Sequence, residues 1–185
     1  MLIVVTGANR GIGLELVRQF SARGEAVIAA CRAPSEALEG LKNVEIVRDV
    51  DVTSDVGASR LVDAIGTRLV DVLVHNAGIL EPQSGSPSLG FDLDSVRRQI
   101  EVNALGPLRI TAALLRNMPS GSKLAFVSSR AGSIADNTSG GLYGYRMSKA
   151  ALNMAAMSLT RDLADRGVMV CVLHPGFVPQ SSSPS

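Results

Sequence analysis

Tyr145 and Lys149 stand four residues apart in the stretch Gly144-Tyr145-Arg146-Met147-Ser148-Lys149. On a helix, positions i and i+4 share a face, so a phenol and an ammonium would stand side by side. A free phenol has a pKa of about 10 and is a poor proton donor at neutral pH. A neighbouring cation favours the phenolate, so the spacing predicts a Tyr145 pKa pulled down toward the working range, a tuned general acid. The residue types are scarce, with two Tyr and three Lys among 185 residues. A surface helix that happens to carry a Lys near a Tyr gives the same spacing. Tyr143 has Met147 at i+4 and lacks the cation.

A second constellation is Thr6-Gly7-Ala8-Asn9-Arg10-Gly11-Ile12-Gly13, placed between an apolar run and a helical pattern. A glycine-rich turn there lets backbone N–H groups approach a pyrophosphate, and the helix N-terminus adds partial positive charge. A tight turn needing positive φ is the plainer alternative. The next apolar run ends at Ala30-Cys31-Arg32, with no acidic residue to accept from a ribose diol. Arg32 and Arg10 can instead pair with a ribose 2′-phosphate, which favours NADP(H) over NAD(H).

These residues need a frame. Strand-like runs at Leu2–Thr6, Ala26–Cys31, Val44–Val47, Val70–His75, Lys123–Ser128 and Val168–Leu173 alternate with amphipathic stretches. Ile12, Leu16 and Phe20 mark one helical face, ended by Gly24; Asp55–Ile65 reads as another helix. Longer helices are expected over Asp94–Met118 and Tyr145–Asp165. The alternation predicts an α/β fold with a doubly wound, Rossmann-like parallel sheet in a single domain. That domain spans residues 1–178, with a Ser/Pro-rich tail over 179–185 and a surface loop over Glu81–Gly90.

Composition narrows the partners. The chain is 46% hydrophobic and 19% charged with a net charge of +1, and it has no basic stripe interleaved with aromatics. Nucleic acid is therefore not expected. No apolar run is long enough for a membrane span, and the first residues read as a strand rather than a signal peptide. Cys31 and Cys171 read as two isolated buried thiols of a cytoplasmic protein, and no metal site is expected.

Taken together, these motifs resemble the short-chain dehydrogenase/reductase family from the start to about Val178. Thr6–Gly13 resembles its cofactor turn. Asp51-Val52 resembles the position that contacts the adenine ring. His75-Asn76-Ala77-Gly78 is similar to its Asn-Asn-Ala-Gly motif with His in the first place, and Asn103 resembles its active-site Asn. Ser128-Ser129 resembles the region of its catalytic Ser, Tyr145–Lys149 its Tyr-x-x-x-Lys, and Pro175-Gly176 the turn that faces the nicotinamide. Gly132-Ser133-Ile134 and Gly140–Arg146 look most like a carbonyl-reductase-like branch that includes C-factor-like and sniffer-like proteins.

The resemblance implies hydride transfer to the carbonyl of a small aldehyde, ketone or quinone. The implied catalytic residues are Asn103, Ser129, Tyr145 and Lys149. The implied cofactor contacts are Gly7, Asn9, Arg10, Gly11, Ile12, Gly13, Arg32, Asp51, Val52, Asn76, Ala77, Gly78, Tyr145, Lys149, Pro175, Gly176 and Val178. Ser133 is the alternative to Ser129, and Ser128 reads as structural because adjacent strand residues face opposite ways. Family members pair as dimers or remain monomers, so a homodimer is an open expectation.

Pro107 lies four residues after Asn103 inside a helical pattern. Its ring clashes with the carbonyl of residue i−4 and it has no N–H to donate, so a kink is predicted there. Family members also continue beyond Pro-Gly with a lid, a helix and a last strand, which are missing here. A truncated NADP-binding scaffold or regulatory protein with weak turnover is therefore a second expectation. A nucleotide-sugar epimerase fits less well. Substrate choice is expected to lie in Ile79–Phe91 and near Ile134–Gly144.

Overall fold

The computed structural model describes residues 1–81 and 90–176. Six parallel strands, β1 (Leu2–Thr6), β2 (Ala26–Ala30), β3 (Val44–Val47), β4 (Val72–His75), β5 (Lys123–Val127) and β6 (Met169–Leu173), form one sheet. Its order is β3-β2-β1-β4-β5-β6, the doubly wound arrangement. The strand order reverses between β1 and β4, which pair from Ile3–Val72 to Val5–Val74. A crevice opens at such a reversal, beyond the carboxyl ends of the strands.

The helices are α1 (Gly11–Ala22), α2 (Glu36–Glu39), α3 (Asp55–Ile65), α4 (Leu93–Ile100), α5 (Gly106–Leu114) and α6 (Tyr143–Asp162). Alternate strand residues feed two cores. Ile3, Val5, Val27, Ala29 and Val74 pack with Val17 of α1 and Leu38 of α2. Val4, Ile28, Leu73 and Phe126 pack with Leu61 of α3, Ile110 of α5 and Leu152 of α6. Burying such side chains contributes about 1.5–3 kcal/mol each.

The strands end within two residues of the sequence reading, and α3 has the bounds read for it. The long helix expected over Asp94–Met118 is divided instead. α4 passes into a π-helical turn at Glu101–Leu105, then α5, then a 3-10 turn at Leu115–Asn117. The predicted kink thus takes the form of a wider helical turn just before Pro107, whose missing N–H cannot close the α-helical ladder. α2 was not anticipated. It is a single turn capped by the Ser35 hydroxyl, which accepts from the Leu38 N–H at 3.3 Å. Cys31 is buried as expected, but Cys171 is exposed, because β6 is the edge strand and its side chains are open among the described residues. No helix among the described residues is long and apolar enough to cross a membrane. The tail over 179–185, Val178 and most of the Glu81–Gly90 loop lie outside the described residues.

Candidate active site

The glycine turn joins β1 to α1 at the strand reversal, and its three glycines answer two different demands. Gly7 sits at φ +64°, and a Cβ there would lie 2.7 Å from the Ala77 Cα. A Cβ on Gly13 would collide with the Gly7 carbonyl and the Asn76 amide. Gly11 has φ +54° but nothing within 4 Å of an added Cβ. The first and third glycines let backbones touch, while the second keeps open space at the helix mouth.

That mouth is free of side-chain caps. α2, α3 and α4 are capped by Ser35, Ser54 and Asp92, whereas Arg10 at the N-cap of α1 makes no side-chain hydrogen bond to the helix. The first-turn N–H groups of α1 and its positive dipole end remain available to an anion. Arg10 and Arg32 are exposed, and neither forms a salt bridge among the described residues. Ser35 ties the segment after β2 to the turn, donating to the Asn9 carbonyl at 2.7 Å. Ile12 is half-buried just inside the helix. These features fit a dinucleotide phosphate, with Arg10 and Arg32 exposed beside it for an additional phosphate.

Asn76 and Thr6 stitch the reversal together. The Asn76 amide donates to the Thr6 and Gly7 carbonyls at 3.1 and 3.0 Å. The Thr6 hydroxyl accepts from the Asn76 and Ala77 N–H groups at 3.1 and 3.2 Å and donates to the Val74 carbonyl. His75 replaces an Asn without disturbing this clamp. It is buried, stacked on Phe126 at 4.7 Å and bonded to Thr111 at 2.9 Å, and burial pushes its pKa down to about 3.

On the neighbouring side, the Asp51 carboxylate accepts from the Thr53 N–H and hydroxyl, which holds its pKa below the usual carboxylate range. Val52 is buried against Gly106, where a Cβ would lie 2.8 Å from its side chain. Arg109 donates to the Val52 carbonyl at 3.1 Å and pairs with Glu101 at 3.0 Å, binding the π turn to this wall.

Asn103, Ser129, Tyr145 and Lys149 come together at the carboxyl ends of β4 and β5. Asn103 is fully buried in the π turn. Its side chain accepts from the Ile79 N–H at 2.8 Å and donates to the Ile79 carbonyl at 2.8 Å and to Ser148 Oγ at 2.9 Å. Ser148 in turn donates to the Tyr145 carbonyl at 2.8 Å. Ser148 carries this link without having been picked out from sequence. Its only signal there is a polar residue on the inward face of a helix.

Lys149 is almost wholly buried. Its Nζ donates to the Val127 carbonyl at 2.9 Å and lies 5.8 Å from the Tyr145 ring centroid. Burial lowers its pKa to about 8. The Ser129 hydroxyl faces the Tyr145 phenol and favours its ionised form, whereas Ser133 Oγ accepts from the Asp136 N–H. Ser128 points the other way and donates to Asn153 at 2.6 Å. α6 presses on the 3-10 turn at Arg130–Gly132, where a Cβ on Gly132 would lie 2.7 Å from Lys149 backbone. Tyr143 stacks edge-on against Phe91 at 4.9 Å, away from the cation.

One expectation is corrected. The Tyr145 pKa is raised rather than lowered: burial dominates, and the hydrogen bond from Ser129 only partly offsets it. The Lys149 ammonium is turned to the Val127 carbonyl and stands beside the ring rather than at the hydroxyl, so it does not pull the phenol down. Pro175 and Gly176 follow β6 and are exposed, with Gly176 at φ +78°. Among the described residues no cluster of His, Cys, Asp and Glu suits a metal ion.

Residues 1–183 match the family model described as short chain dehydrogenase. A 1-hydroxy-2-glutathionyl-2-methyl-3-butene dehydrogenase from Rhodococcus sp. (strain AD45) is 42% identical over 179 residues, covering 95% of this chain and 77% of the relative. The C-signal protein of Myxococcus xanthus is 49% identical over 113 residues, covering 59% of this chain and 66% of the relative. Among solved structures, a carbonyl reductase from Pseudomonas aeruginosa PAO1 in complex with NADP superposes with a TM-score of 0.88 at 33% identity, covering 97% of this chain and 84% of that one.

Proposed function

The chain belongs to the short-chain dehydrogenase family of oxidoreductases, and on that premise we propose that it reduces the carbonyl of a small aldehyde, ketone or quinone with NADPH, Tyr145 serving as the proton donor. The carrying observation is the buried Lys149 one helical turn from Tyr145, its ammonium 5.8 Å from the phenol ring, with Ser129 beside that phenol. The uncapped mouth of α1 with Gly11 would hold the pyrophosphate, and Arg10 and Arg32 the ribose 2′-phosphate. Asn76, Ala77 and Gly78 would line the sugar side, and Asp51 and Val52 the adenine. The bound nicotinamide supplies hydride.

The protein's own part is proton transfer and charge stabilisation. The raised pKa keeps Tyr145 protonated at neutral pH, as a reductase needs before each turnover. Ser129 would donate to the substrate oxygen as negative charge develops on it. The phenolate left when Tyr145 gives up its proton keeps Ser129 beside it, the contact that partly offsets the desolvation disfavouring it. Asn103, through Ser148, holds that turn of α6 in place.

The test is loss of NADPH absorbance with a panel of aldehydes, ketones and quinones, for the wild type and Tyr145→Phe. General acid catalysis contributes about 10²–10⁴-fold, so the variant should retain NADPH binding and lose turnover by that factor. Tight NADPH binding with no turnover in either protein would instead identify a binding scaffold.

A further inference from the structure

Gln99 is wholly buried on α4 beside the equally buried Asn103, four residues further on. A buried amide must find partners for one oxygen and two N–H groups. Gln99 finds them on the chain that leaves the site. Its Oε1 accepts from the Glu81 N–H at 3.2 Å, and its Nε2 donates to the Glu81 carbonyl at 3.4 Å and to Ser95 Oγ at 3.2 Å. Asn103 does the same two residues earlier, taking the N–H and carbonyl of Ile79 at 2.8 Å each. Four residues of helix rise about 6 Å and two residues of extended chain about 6.6 Å, so the two amides match the two rungs. Each side-chain amide stands where a neighbouring strand's peptide would.

The far rung is reinforced. The Glu81 carboxylate takes a two-pronged ion pair from Arg98, at 2.7 and 3.2 Å. The near rung touches the chemistry: a Cβ on Gly78 would lie 3.2 Å from Asn103 Oδ1 and 3.7 Å from Lys149 Nζ. The chain from Gly78 to Glu81 therefore starts beside the Lys149 ammonium and is fixed at its outer end by Gln99. Between the rungs, the apolar side chain of Leu80 stands open.

We propose that Gln99 is a positioning residue, which with Asn103 forms a two-rung ladder that fixes residues 79–81 and so sets the substrate wall that runs out from beside Lys149. The proposal rests on the carbonyl-reduction reading given above. It assigns Gln99 to substrate fit, not to NADPH or proton transfer. Removing the amide frees the outer rung and lets the wall move while Asn103 still holds Ile79.

The experiment compares wild type, Gln99→Leu and Gln99→Glu in two measurements. In hydrogen exchange, the peptide containing residues 79–81 should exchange at least about tenfold faster in Gln99→Leu, since a rung is lost. In NADPH-driven carbonyl reduction, KM for the carbonyl should rise about tenfold, as for one unpaired buried amide, with kcat changed less than about threefold and the NADPH Kd unchanged. Gln99→Glu adds a signature that packing alone would not give. A protonated carboxyl can supply the donor and the acceptor of the Glu81 rung, giving up the second N–H on Ser95, whereas the ionised form only accepts. The charged groups facing it, Glu81 and Arg98, are paired with each other. The ratio of its KM to the wild-type KM should therefore fall toward one between about pH 8 and about pH 6. Unchanged exchange in Gln99→Leu overturns the ladder. Faster exchange with unchanged KM overturns the positioning role. No turnover in wild type overturns the reduction reading and the positioning role with it, while exchange still decides the ladder.

Discussion

Around the glycine turn the closest contacts are between backbone atoms; around Tyr145 they are made by buried polar side chains, to backbone carbonyls and to one another. Gly13 lies against the Gly7 carbonyl, and Gly7 against Ala77. Asn103 donates to Ser148, Ser148 to the Tyr145 carbonyl and Lys149 to the Val127 carbonyl, all buried side chains in hydrogen bonds of 2.8–2.9 Å. The first region is broken by adding atoms, and the second by removing or neutralising them. The difference follows from the tasks. A pyrophosphate is held by main-chain N–H groups that must be approached closely. A proton donor is held by side chains whose charge state matters.

Gly13→Ala tests the first half most severely. Ala is favoured over Gly inside a helix by about 1 kcal/mol, so helix propensity alone predicts stabilisation. The collision with the Gly7 carbonyl, which also accepts from Asn76, opposes it. Overpacking against backbone costs about 3 kcal/mol, so the net change should be a loss of about 2 kcal/mol or more in urea unfolding, with weakened NADPH binding. A stabilised variant would mean that this contact is not tight.

Lys149→Met tests the second half, and its stability effect has the opposite sign. The folded-state pKa of Lys149, about 8, lies below the unfolded value of about 10.4. The unfolded chain therefore binds more protons between those values, and wild-type stability rises with pH across that window. Below it the buried charge carries its full penalty, of order 3 kcal/mol. Met removes the penalty and also the bond to Val127, so a gain of about 1–2 kcal/mol is expected at neutral pH, with turnover lost. Unfolding at about pH 7 and about pH 10 should show the advantage shrinking as wild-type Lys149 loses its proton. A variant less stable than wild type at neutral pH would show that the ammonium is well solvated where it stands.

Arg32→Ser belongs to the cofactor end but breaks by removal, which marks the limit of the contrast. Exposed charge, not backbone fit, is what Arg32 offers. Losing a charge-assisted hydrogen bond costs about 1.5–3 kcal/mol, so NADPH affinity should fall about tenfold to a hundredfold while NADH affinity stays level. Equal losses for both would remove Arg32 from the 2′-phosphate.

The same contrast explains what sequence made legible. Backbone demands leave strong marks, because glycine, proline and apolar runs are few-valued. The turn at Gly7–Gly13, the six strands and the break before Pro107 could all be read, and Ser54 marks the start of α3. Buried polar links leave weaker marks. Gln99 and Ser148 look like ordinary helix polar residues until their neighbours are known, although an amide four residues before Asn103 was a usable hint. The π turn needed the packing of Gly106 on Val52 as well as the proline. The direction of the Tyr145 pKa could not be read from an i, i+4 spacing. Spacing fixes which face Lys149 occupies, but burial and the choice of the Val127 carbonyl decide what its charge does.

Gly11 offers the finest separation within the glycine turn. It shares positive φ with Gly7 but has no neighbour within 4 Å of an added Cβ. Gly11→Ala therefore adds strain without collision, and the left-handed conformation costs a non-glycine residue about 1 kcal/mol. Asn tolerates that region better, so Gly11→Asn should lose less than Gly11→Ala in urea unfolding. NADPH affinity should fall in both variants by more than their stability, because the open space at the uncapped mouth of α1 is where a phosphate would approach. If Gly11→Ala instead lost as much stability as Gly13→Ala, the two glycines would not differ in kind, and the open mouth assigned to the phosphate would already be filled by the protein itself.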